Sequence, residues 1–473
     1  MSKKWTVISI GSRFLAVTIG IIQSVIIAKL LTVENYGLLN IVMGIGASLG
    51  VYQNLGISSG STREIASSES KAEAYKVFIT SLAIRYMISI PMAVGLFIFA
   101  AKIAEQTSNR SEIILPLQLF AVTMVIQSLQ SVLNSVIQGF RKFQFLFGFQ
   151  IIIAFVSLSV YIPLIFKFEF LGYFYSLILF NLISTIALLI YAYKLFDGQT
   201  KMPTRNEFIT IFKSIFKVGV FIYLMKIIDT QWQRLQPFLL GFVTTDYKIG
   251  VFSFALLIAS KVATVSDAIT DVTLPSMTNI YERSREEFRA AFLKGSSFAN
   301  LLLVLCVVVL ILFKAEIFYL IDVLFSFMGK EHLSIKYGES FKYIDWLAIA
   351  FWGYSQLNLI RSGYSVPAKK LMGSFLSYVV LFVFTYVFYT TFNQLIDPIW
   401  KLSVAMGAAA LISYLFAIIY TKYESDFWII SFSDIVYLLI SIVVIFAFYI
   451  GISNWFLIMV YGFFTFWIYK TNE

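Results

Sequence analysis

The sequence predicts an all-α polytopic membrane protein of about fourteen transmembrane helices, built as two six-helix lobes in parallel repeat plus two C-terminal helices. Three observations predict it. The 473 residues are 59% hydrophobic and only 13% charged, with a mean hydropathy of +0.84, which is too little polar surface to cover a soluble globule of this length. The apolar residues form continuous runs of about 20, the length a helix needs to cross roughly 30 Å of hydrocarbon, whereas a barrel strand alternates over about ten. Short polar turns also recur at matching points in the two halves.

Taken in order, the first run follows a short basic start and extends to Leu31 without a small-residue cleavage site, so it reads as a first transmembrane helix and not a removable signal. Further spans fall at about 36–58, 77–101, 113–138, 146–167 and 170–196. The polar segment 197–213 separates the halves. The second series runs at about 214–242, 249–275, 291–321, 342–366, 371–391 and 398–421, and two more spans follow at about 434–451 and 453–469. The link 451–454 is short, and the wet region 322–341 has room for an interfacial helix. The expected domains are an N-terminal lobe at 1–198, a C-terminal lobe at 199–425 and the last two helices at 426–473.

Orientation follows from the cations, since short cytoplasmic loops carry the excess of Lys and Arg. With the N-terminus inside, 20 of the 36 Lys and Arg fall in inside segments and 8 in outside ones, among them Arg110. Both termini therefore read as cytoplasmic. The net charge of +10 is explained by this bias and calls for no nucleic-acid partner. One cysteine, Cys306, and one histidine, His332, exclude a disulfide framework and a Cys/His metal site.

Eight cations remain within the spans: Arg13, Lys29, Arg85, Lys226, Arg234, Lys261, Arg361 and Lys401. Lys29, Lys401 and Arg361 lie near span ends, where a long side chain snorkels to the headgroups, and Arg13 suits either snorkelling or a cavity role. Arg85, Lys226 and Lys261 are too deep to snorkel, and a charge near the bilayer centre costs about 2.5–3.5 kcal/mol, so they are expected to face a wet interior. Helical spacing sharpens this expectation for 219–275. Lys226, Asp229, Thr230 and Gln233 share one face with Arg234 at its flank, and Ser260, Thr264, Asp267 and Asp271 share a face on the next span. Internal ion pairs such as Lys226 with Asp229 are the competing structural reading. The cations outnumber the acids, which suits an anionic ligand such as a diphosphate.

A repeated pattern supports the two-lobe expectation. Leu30-Leu31-Thr32-Val33-Glu34-Asn35-Tyr36-Gly37-Leu38-Leu39 joins the first two spans, and Gly241 to Phe252 joins the seventh and eighth. Each has a short polar turn, an acid or amide before Tyr, and Gly opening the next helix.

The run from Gly11-Ser12-Arg13 through Ala28 to Gly37, the turn Gln138-Gly139-Phe140-Arg141-Lys142-Phe143, and the Tyr-x-x-Gly-x-Phe-x-x-Ala run from Tyr247 to Ala255 with Pro275 closing its span resemble the Wzx-type polysaccharide flippases of the multidrug/oligosaccharidyl-lipid/polysaccharide (MOP) exporter superfamily. The resemblance implies a transporter, not an enzyme, in the bacterial inner membrane. It would move undecaprenyl-diphosphate-linked oligosaccharide, an O-antigen, capsule or other exopolysaccharide repeat, from the cytoplasmic to the outer leaflet by alternating access. Arg13, Arg85, Lys226, Arg234 and Lys261 would fill the diphosphate-binding role of a cationic central cavity. Asp229, Asp267 and Asp271 are candidates for coupling to an H+ or Na+ gradient, with no cofactor or metal expected. Membrane lipids and a polysaccharide polymerase complex are the expected partners. The alternative is an ion-coupled drug exporter on the same fold, whose cavity should be dominated by acids and aromatics. A membrane-embedded glycan transferase is disfavoured by the single histidine.

Overall fold

The computed structural model describes residues 3–216, 220–392, 397–425 and 427–471, and within these the side chains of 3–14, 16–17, 220–222, 271–276, 327 and 466–471 lie outside the description. Every regular element among the described residues is helical. The chain divides into two compact units, Met1–Gly250 and Val251–Glu473.

The first unit contains α1 (Lys3–Leu30), α2 (Val33–Asn54), α3 (Ile57–Ser67), α4 (Lys71–Gln106), α5 (Ile114–Gly139), α6 (Phe143–Phe196), α7 (Arg205–Phe216), α8 (Val220–Arg234), α9 (Gln236–Leu240) and the start of α10 (Asp246–Ala259). Local chemistry sets the boundaries. Thr32 caps α2 by accepting from the Asn35 amide at 3.1 Å, and Ser70 caps α4 by accepting from that of Glu73 at 3.2 Å. The runs expected at 146–167 and 170–196 are joined in α6, which breaks at Glu169, where φ is 49° and ψ is −122°. The seventh span is shorter than its apolar run, because Pro237 starts a separate helix, α9, after α8 has ended at Arg234.

The polar segment after the sixth span also folds. Its helix α7 packs on α3 and α4, with Ile215 buried and the Ser214 hydroxyl donating to Glu64 at 2.7 Å. Lys76 on α4 donates to Glu207 at 2.5 Å, and the Thr204 amide donates to the same carboxylate at 2.8 Å. The Lys76 hydrogen bond, followed by those from Thr204, lowers the Glu207 pKa from 4.5 to about 2. A depressed carboxylate contributes anchoring that is complete above its ordinary range and is lost as pH falls through the folded value. The distance between labels on α4 and α7 should therefore hold steady at neutral pH and lengthen as pH falls from 4.5 toward about 2. Lys76→Met should weaken the anchor at neutral pH and remove most of that dependence.

The second unit holds the remainder of α10, with α11 (Lys261–Arg283), α12 (Arg285–Leu312), α13 (Lys314–Leu324), α14 (Leu333–Lys336), α15 (Phe341–Ile360), α16 (Met372–Thr391), α17 (Pro398–Ser425), α18 (Phe432–Tyr449) and α19 (Asn454–Thr471). Its centre is α15, which packs on α11, α12 and α17 and continues into a widened turn over Arg361–Ser365. The wet region 322–341 contains the short helix α14, whose N-terminus is capped by buried Asp322 through the amides of Leu333 at 2.6 Å and Ser334 at 3.0 Å. Gly451, at φ 95°, turns the chain between α18 and α19. Among the described residues each of the fourteen expected spans is mainly helical, with breaks inside four of them at Leu55-Gly56, Leu235, Ser260 and Phe313. Among the described residues nine helical stretches, α6 with its two spans counted once, are long and apolar enough to cross a membrane, and two shorter apolar helices accompany them.

Candidate ligand-binding site

In the first unit α8 runs antiparallel along α2. The Tyr223 hydroxyl donates to the Val51 carbonyl at 3.3 Å and the Gln231 amide to that of Ser48 at 3.3 Å. Nearer the start of α2 the backbones meet: a Cβ at Gly44 would lie 2.7 Å from the Arg234 carbonyl oxygen. Gly44 is midway along α2, which lies within the apolar stretch Val33–Ser67 that is long enough to span, so Arg234 is held well inside that stretch. Lys226 sits about two turns earlier on α8.

The faces of α8 divide sharply. Met225 and Trp232 are fully buried, whereas the side chains of Lys226 and Arg234 are exposed, that of Lys226 by 61%. Asp229, 1% exposed, accepts from Lys226 at 2.7 Å and from Gln233 at 2.5 Å. The Arg234 guanidinium has no hydrogen-bond or ion-pair partner among the described residues. A cation exposed at this depth meets either lipid or water, and the cost of a charge in hydrocarbon favours water. This face combines one cation shared with a buried carboxylate and a second held by none, so it can take an anion.

Arg85 on α4 is placed differently. It is 6% exposed, donates to Asn54 at 2.9 Å, leaves its Nε unpartnered and pairs with no carboxylate among the described residues. Asn54 ends α2 and also accepts from the Ser58 hydroxyl at 2.9 Å.

In the second unit Lys261 begins α11, half-buried, and Asp267 lies two turns on, exposed. Asp267 accepts from Asn358 at 2.6 Å, and the Asn358 carbonyl oxygen accepts in turn from Arg361. The Arg361 guanidinium is 5.5 Å from the centroid of the Tyr378 ring. The side chains of Arg13 and Asp271 lie outside the described residues.

Three features differ from the sequence expectations or were not foreseen. Lys29 and Lys401, read as snorkelling, are 1% and 8% exposed. Lys29 occupies the last turn of α1, where the helix dipole favours a cation, and Lys401 lies 4.8 Å from the centroid of the Tyr389 ring. Arg110, read only as an outside-loop charge, is 6% exposed and ties the turn before α10 to the end of α4. It donates to the Thr107, Gly241 and Thr244 carbonyls and to the Asp246 carboxylate. A buried amide chain joins α15, α12 and α18, with Gln356 donating to Asn300 at 2.7 Å and Asn300 to Asp434 at 3.0 Å. No group of metal-ligating side chains occurs among the described residues.

Comparison with known proteins adds a family and a fold. A family model described as "Polysaccharide biosynthesis protein" matches residues 26–327. Among solved structures, the lipid II flippase MurJ in an inward closed conformation aligns with a TM-score of 0.74 at 14% identity, covering 97% of each chain. An inward-facing multidrug resistance MATE family transporter of the MOP superfamily aligns with a TM-score of 0.70 at 14% identity, covering 87% of this chain and 94% of its own. No curated protein sequence matches.

Proposed function

The chain belongs to the polysaccharide biosynthesis protein family, and from that premise we propose that it is a flippase for undecaprenyl-diphosphate-linked oligosaccharide, carrying the glycan from the cytoplasmic to the outer leaflet of a bacterial inner membrane by alternating access. The observation that carries this reading is the exposed pair Lys226 and Arg234 on α8, with Arg234 level with the middle of α2. A diphosphate cannot enter hydrocarbon unaided. Cations waiting in water at mid-depth lower that barrier while the polyprenyl tail stays in lipid. The MurJ-like fold supports the same class of cargo.

The ion pair supplies a route to release. A diphosphate that engages Lys226 competes with Asp229, so proton or sodium binding at Asp229 would favour the loaded state and its loss would favour unloading. Asp267 and Asp271 are further candidates for such coupling, and both termini are assigned to the cytoplasm.

Proteoliposomes containing the purified protein and a fluorescent lipid-linked oligosaccharide test the reading, with an impermeant glycosidase reporting translocation. Protein-dependent flipping of the glycolipid, with no uptake of a cationic dye, is the expected result. Dye uptake without glycolipid flipping would establish the drug-exporter alternative instead.

A further inference from the structure

The face of α5 turned toward α3 carries a polar stripe that the cation site does not use. Gln127, Gln130, Ser131, Asn134, Ser135 and Gln138 follow one another at helical spacing along a stretch apolar enough overall to span a membrane. Ser58, Ser59 and Thr62 of α3 face them across a cavity of about 550 Å³, within the usual size of ligand sites. Every side chain lining this groove ends in a hydroxyl or an amide, and none is charged.

Part of the lining is fixed in place. Ser58 and Ser131 share a hydrogen bond at 2.9 Å, Gln130 donates to Ser184 of α6 at 2.7 Å, and Asn54 ties Ser58 to buried Arg85 behind the wall. Thr62 and Ser135 donate to the carbonyls of Ser58 at 2.9 Å and Ser131 at 3.1 Å. Gln127, Asn134 and Gln138 make no side-chain hydrogen bond to any described residue. They stand at positions i, i+7 and i+11, so the three amides are spread over about 16 Å of helix.

This chemistry selects its ligand by exclusion. A diphosphate needs cations, a cationic drug needs acids or aromatic faces, and an acyl chain needs an apolar lining. Amides and hydroxyls both donate and accept, which matches sugar hydroxyls one for one. Resting on the flippase reading above, we propose that the α3–α5 groove is a subsite for the uncharged, hydroxyl-rich part of the glycan, separate from the cations that hold its diphosphate.

Binding to the full-length protein in nanodiscs, measured with three probes, tests this. The probes are undecaprenyl diphosphate, the same lipid bearing a neutral tetrasaccharide of glucose and N-acetylglucosamine, and the free tetrasaccharide. The sugar should tighten lipid binding by about tenfold, the worth of one or two net hydrogen bonds. The triple variant Gln127→Leu, Asn134→Leu, Gln138→Leu should abolish that advantage while leaving the affinity for bare lipid unchanged. Asn134→Ala alone, a milder change, should reduce the advantage by at least about twofold. An advantage that survives both variants, or none in the unmodified protein, overturns the subsite and leaves the flippase reading standing. Binding of the free tetrasaccharide without binding of either lipid supports the groove and overturns the flippase reading. Failure of all three probes overturns both.

Discussion

Replacing Gly37 or Gly250 with valine is expected to destabilise the first unit by about 3 kcal/mol or more, because neither position has room for a Cβ. The two glycines meet in a reciprocal crossing. A Cβ on Gly37 of α2 would lie 2.2 Å from the Asp246 carbonyl oxygen at the start of α10, and one on Gly250 of α10 would lie 2.0 Å from that of Val33 at the start of α2. The obstacles are backbone atoms of capped helix starts, which cannot rotate away as a side chain would. Even Gly37→Ala should lower the melting temperature of the purified protein by several degrees. Gly95→Ala in the middle of α4, where a Cβ would meet nothing within 4 Å, should leave it unchanged or raise it slightly, since alanine is the better helix former. Equal behaviour of the two alanine variants would show that the crossing is looser than described.

Arg110→Ala should rank next, costing about 3 kcal/mol, the usual result of removing one partner of a buried charge pair. The guanidinium satisfies three carbonyls and one carboxylate. With it gone, the carbonyls of Gly241 and Thr244 lose their donor, although the Ser108 hydroxyl still reaches Gly241 at 3.1 Å. Arg110→Lys keeps the charge but cannot span the four acceptors, so it should recover only a minor share. Thermal unfolding of the two variants checks both statements. The Asp246→Asn variant should cost less than Arg110→Ala, because its carboxylate is 31% exposed and the carbonyl contacts would remain.

The likeness between Tyr36-Gly37 and Tyr247–Gly250 was legible in the sequence, and the crossing gives it a physical reason: α2 and α10 each start against the other's backbone. The helix positions were legible because hydropathy over about 20 residues is a strong signal. The length of α8 was not, since an apolar run looks continuous across Pro237 even where the helix is not. The pairing of Lys226 with Asp229 was visible from their spacing, whereas the burial of Lys29 was not, because a lysine in a last helical turn reads the same whether it meets headgroups or protein. Arg110 was hidden for a related reason: a loop cation has no periodicity, and its acceptors are carbonyls, which a sequence does not display. The amide stripe of α5 was masked by the high average hydropathy of the segment that holds it.

The glycolipid flipping rate of the double variant Lys226→Gln, Arg234→Gln, set beside that of the unmodified protein at equal amounts inserted, tests the central claim most directly. Both side chains are exposed, but Lys226 also pairs with buried Asp229, so the two proteins are first matched for folded amount by thermal unfolding. If the two cations meet the diphosphate, flipping should fall at least about tenfold, the usual effect of losing a charge-assisted contact. An unchanged rate would contradict the assignment of this face to the ligand.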